Sequence, residues 1–149
     1  MIGRTVRKIW LGYVAATLVS GAAQATQLIT EEEARLPPPK GAIAADRRGI
    51  LRSPKVEVVS PDDARRSPLR LQLKFQSFGG ASIDLESVRM IYLRTPNVDL
   101  TARIKPFVRV DGIDIPSAEL PPGEYMVRVD VKDSDGRPGS TSFLLKILP

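Results

Sequence analysis

The residues of this 149-residue chain that could do chemistry are few in kind, because it contains no His and no Cys. That removes imidazole acid–base work, Ser-His-Asp and Cys-His nucleophiles, His or Cys metal sites, and disulfides. Carboxylates, Lys, Arg, Ser, Thr and Tyr remain. Asp130-x-x-Asp133-x-Asp135-Gly136 gathers three carboxylates at a turn, and hard oxygen ligands of that kind can hold calcium. The EF-hand spacing is absent and no Glu closes the loop. Asp and Gly are equally what a hairpin turn requires, so Asp130, Asp133 and Asp135 stand as weak calcium candidates beside a plain turn. Asp111 and Asp114 flank Gly112 in the same way. Asp84 and Glu86 share one face of an extended segment, too close together for the roughly 5–9.5 Å separations of glycosidase pairs. The expectation is no cofactor and no enzyme.

The elements that would position these groups begin at Pro54. Residues 55–59 read as a strand. Leu69, Leu71, Leu73 and Phe75 then share one face and Arg70, Gln72 and Lys74 the other, the period of a half-buried strand. Gly79-Gly80 turns the chain into a third strand over residues 87–93. Residues 99–110 fit either a strand broken at Pro106 or a turn of helix capped by Thr101. A short extended piece spans 112–115, ended by Pro116. Tyr125, Val127, Val129 and Val131 alternate again. Asp133 to Gly139 is rich in turn formers, and Phe143, Leu145 and Ile147 line the last strand. Short strands at this spacing predict a two-sheet antiparallel sandwich of about seven strands.

Ahead of them lie two other segments. Met1 to Lys8 is short and basic, residues 9–23 are uncharged and mostly apolar, and Ala23-Gln24-Ala25 is a small-x-small site. That order is a secretory signal peptide, expected over residues 1–25. It is short against the ~20 apolar residues of a spanning helix, so no membrane contact is expected after cleavage. Residues 26–53, with Pro37-Pro38-Pro39 and no amphipathic period, read as a flexible Pro-rich spacer. Thr30 before Glu31-Glu32-Glu33 is the N-cap of at most one helical turn. The formal charge of +5 owes three units to Arg4, Arg7 and Lys8. The other basic residues come singly or in pairs without aromatic platforms, so nucleic acid is not an expected partner.

Leu120-Pro121-Pro122-Gly123-Glu124-Tyr125, the alternating valines, Asp133-Ser134-Asp135-Gly136 and Phe143-x-x-x-Ile147 resemble the last hairpin of bacterial immunoglobulin-like and fibronectin-type-III-like domains. Pro54-Lys55-Val56 and Ser60-Pro61 are similar to their first strand. Two features depart from the pattern: Arg137 stands where Asn is common, and the only Trp, Trp10, lies in the leader. The resemblance covers residues 54–149. It implies an immunoglobulin-like sandwich, non-catalytic and used in envelope or surface proteins, in which Tyr125 is either a corner tyrosine bonded to backbone or an ordinary core tyrosine.

The third and last strands carry apolar residues on both faces. Ile91, Leu93, Met126 and Leu144 fall on the outward phase of neighbouring strands. A contiguous apolar patch of this kind marks an interface, unless the N-terminal tail or residues 99–110 cover it. The expected partner is an envelope or secreted protein, or a second copy as a homo-oligomer. The expected location is periplasmic or secreted. An open sheet edge able to accept a strand is a further expected contact surface. A small-ligand or calcium-binding sandwich is the alternative.

Overall fold

The alternation that begins at Leu69 persists residue by residue. In β4 (Leu69–Gln76) the odd positions are buried and the even ones exposed or half-exposed. The same rule builds β9 (Gly123–Asp133), whose odd positions from Tyr125 onward are all buried. The computed structural model describes residues 24–41, 52–59 and 64–149. Most of the expected leader, residues 42–51 of the expected spacer, and the turn at 60–63 lie outside the described residues.

In chain order the elements are β1 (Thr26–Gln27), α1 (Glu31–Ala34), β2 (Lys55–Val58), β3 (Arg65–Arg66), β4, β5 (Ile83–Tyr92) and β6 (Val98–Asp99). Then come α2 (Thr101–Ile104), a 3₁₀ turn (Lys105–Phe107), β7 (Val108–Arg109), β8 (Gly112–Glu119), β9 and β10 (Pro138–Leu148). One sheet has the order β1-β8-β4-β2, with β7 also on β8; the other runs β3-β10-β9-β5-β6. The molecule is an all-β two-sheet sandwich. Both sheets are mixed rather than purely antiparallel, because the two-residue strands β1 and β3 pair in parallel with β8 and β10. The core between the sheets holds Tyr92, Tyr125, Leu71, Met90, Ile113, Ile115 and Val127, all closed to solvent.

Several boundaries differ from the sequence reading, each for a local reason. The third strand starts at Ile83, not at residue 87. A register shift between Asp84 and Arg89 interrupts its pairing with β9. Within it the Glu86 N–H donates to Asp84 Oδ1 and the Ser87 hydroxyl to the Asp84 carbonyl. A bulged strand with polar residues hides its period. Residues 101–104 do form a helical turn, yet the capping oxygen belongs to Asp99, whose Oδ1 accepts from Thr101 N–H at 2.9 Å. β8 runs through Pro116, which lies at the register shift opposite Leu69 and Leu71, where the ladder needs no N–H.

The largest correction concerns the expected spacer. Residues 26–38 are built into the sandwich. Thr26 and Gln27 pair with Ala118 and Glu119, and Leu28 and Ile29 are fully buried. Thr30 and Glu33 close a capping box on α1, and the Thr95 N–H and hydroxyl donate to the carbonyls of Pro37 and Pro38. Two adjacent apolar side chains, buried beside β8, help to anchor the segment. A period search cannot register a pair that short.

Candidate functional site

Residue register builds the candidate face. β10 lies on β9 with Leu144 opposite Met126 and Lys146 opposite Glu124. β5 lies on the other side of β9 with Ile91 opposite Arg128, and Leu93 N–H donates to the Met126 carbonyl. Leu93, Met126 and Leu144 therefore form one row across three strands, with Ile91 beside it. The structure brings all four predicted residues together on the outer side of one sheet. Their exposure is unequal. Leu144 is 39% exposed, Ile91 and Met126 are half-buried, and Leu93 is only 6% exposed. The expectation of four open apolar side chains is corrected at Leu93. Two residues beyond it, Thr95 holds the end of the N-terminal segment, so that end of the sheet is crowded.

Charged groups frame the row. Glu124 and Lys146 stand on one side, 3.9 Å apart. Arg128 stands on the other, its Nε 3.1 Å from Asp130 Oδ2. Asp130 also accepts from the Ser140 hydroxyl at 2.6 Å.

Among the described residues the sheet edges are short or shut. On β5, Met90 donates its N–H to the Thr101 hydroxyl and accepts from Leu100 N–H, which joins that edge to α2. β8 carries β7 at one end and β1 at the other. β10 presses on β2, where the Thr141 hydroxyl donates to the Val56 carbonyl and Gly139 leaves no room for a Cβ beside the Pro54 oxygen. Strand addition has little purchase on such edges. The face is the surface left over.

The three calcium candidates are held by arginines. Asp133 is buried and takes the N–H groups of Asp135 and Arg137 and the Arg137 Nε at 2.7 Å. Burial pushes its carboxyl up, but the Arg137 bonds outweigh that and hold it below the usual range. Arg137 Nη2 also reaches Asp135 and the Phe78 carbonyl. Asp130 faces Arg128 on the outer surface, apart from this turn. Among the described residues no three acidic groups gather closely enough for a metal ion. Arg137 is thus the counter-ion of a buried aspartate. Asp114 is likewise gripped by Arg70 through bonds of 3.0 and 2.8 Å. A shallow groove of about 230 Å³ on the outer face of the other sheet includes Asp114, with Lys74, Arg109 and Asp111.

Sequence reasoning missed one contact set entirely. Arg103 on α2 donates to both carboxylate oxygens of Glu33 at 2.8 and 2.7 Å, and to the Leu28 carbonyl. That Arg103 pairing, more than the opposing effect of burial, takes the Glu33 carboxyl down to about 2. The available signal was the Thr30-x-x-Glu33 spacing of a capping box directly after Leu28-Ile29. Tyr125 is a corner tyrosine in geometry: its hydroxyl donates to the Pro121 carbonyl at 2.5 Å, and burial together with nearby Tyr92 pushes it up to about 12. No helix of the described residues is long and apolar enough to cross a membrane. No protein-family model, curated protein or solved structure matches the chain.

Proposed function

We propose that the chain is an exported, non-catalytic, immunoglobulin-like module that binds another protein at the bacterial envelope through the outer face of β5, β9 and β10. The observation that carries this reading is the adjoining Met126 and Leu144, with Ile91 beside them, accessible on the outer side of one sheet. Among the described residues this face lies on a sandwich whose outermost strands are short or joined to neighbouring elements. Strand order supports the immunoglobulin likeness. β2, β4 and β8 correspond to strands A, B and E of that fold, and β5, β9 and β10 to C, F and G. The corner formed by Tyr125 and Pro121 falls between the strands where that fold carries one. Export is supported by the position of the small-x-small site. Gln24 and Ala25 are exposed, and among the described residues the first paired one is Thr26. Cleavage after Ala25 thus removes the leader without cutting a strand.

The test uses Leu144, the most open member of the row. Leu144→Asp should leave the β-sheet circular-dichroism spectrum intact and abolish capture of a partner from envelope extract by the full chain. Equal capture by the two proteins removes this face from consideration.

A further inference from the structure

We propose that the partner seated on this face is a second copy of the chain, packed sheet to sheet with Glu124 of each copy against Arg128 of the other. The proposal rests on the preceding reading that the face is a contact surface, and it names the occupant. Glu124, Met126 and Arg128 follow one another at period two on β9 and share its outer side. Each such strand therefore presents an acid, an apolar centre and a base. A twofold axis running across the strands through the Met126 row reverses that order in the facing copy. Positions two before Met126 then meet positions two after it. Glu124 lies over Arg128 twice, and Leu144 and Met126 lie over their own counterparts. On β10 the same operation sets the long side chain of Lys146 over the small Ser142. An axis along the strands would instead stack Glu124 on Glu124 and Arg128 on Arg128, so charge selects between the two arrangements.

The groups needed are free to take part. The Arg128 guanidinium gives its Nε to Asp130, and it has five donors in all. Lys146 holds Glu124 only loosely, at 3.9 Å. The area involved is small. Three strands about 4.8 Å apart over some five residues fall short of the ~800 Å² per partner of a standard interface. The dimer is therefore weak and concentration-dependent.

The experiment is sedimentation equilibrium of the full chain, as recovered from cells, over a concentration series. The weight-average mass should climb from one copy toward two, and Leu144→Asp should stay at one. Glu124→Arg and Arg128→Glu should each weaken association by roughly tenfold. An equal mixture of these two variants re-creates opposite charges at both contacts and should associate about as well as the original. Recovery in the mixture requires that both variants are folded. A wild-type chain that stays monomeric throughout, or a mixture no better than its components, overturns the proposal. If Leu144→Asp still abolishes capture of an envelope protein in that event, the binding face stands and only the second copy is excluded.

Discussion

At the scale of single residues, two carboxylates are tied to arginines: Asp133 to Arg137 within its own turn, and Glu33 to Arg103 across 70 residues. Asp133 is a charge closed off from water, and its stability depends on Arg137. Arg137→Asn removes the guanidinium and leaves that charge half-satisfied. It should lower the urea midpoint clearly more than Arg35→Ala, which breaks an exposed 4.0 Å contact to Glu31. An equal effect would mean that Arg137 contributes no more than a surface pair. Glu33 is the second case. Its carboxyl titrates near 2 in the fold against an ordinary 4.5. A folded value below the unfolded one means that the stabilisation is complete above about 4.5 and disappears as pH falls toward 2. Glu33→Gln should cost about 1–2 kcal/mol near neutral pH. The gap between wild type and variant should close when urea melts are repeated from pH 6 down to pH 2.5. A gap that stays constant with pH would sink the charge-based account.

Elements carry the next level. The segment from β1 through α1 looks like a spacer in the sequence and behaves as a strap across the side of the sandwich, from β8 in one sheet to the end of β5 in the other. Leu28 supplies its anchor and is fully buried. Leu28→Ala should therefore destabilise the protein by about 3 kcal/mol, as removal of a core leucine does. A spacer would show no change, so one denaturation curve separates the descriptions. The strap was hidden in the sequence because Leu28-Ile29 has no period and Pro37-Pro38-Pro39 advertises extended chain. The long strands were legible because β4 and β9 repeat inside-outside over eight or more residues. β5 lay between these extremes: its second half showed in the pattern and its bulged first half did not.

For the whole molecule, the strap and the proposed cleavage site adjoin. The strap begins at Thr26, one residue after the expected cleavage site. Expression with the natural leader in a bacterial host should yield an exported protein whose intact mass lacks residues 1–25. Retention of the leader, or trimming within the strap, would contradict that reading. The face was partly legible. Period-two phasing put Ile91, Leu93, Met126 and Leu144 on one side, and register does place them side by side. Phasing carried no information on what lies above Leu93.

Composition and periodicity alone determined that this chain has no imidazole or thiol chemistry and that it folds as layered sheets. Both follow from side-chain type and from the alternation that a strand imposes on neighbours two apart. Only the tertiary structure decided that Glu33 belongs to Arg103, 70 residues away. The same holds for the closure of β10 on β2 through Thr141 and Val56, 85 residues apart, and for the burial of Leu93 while Leu144 stays open. Those outcomes depend on which strands become neighbours, and local pattern specifies the face of a strand but not what comes to lie on it.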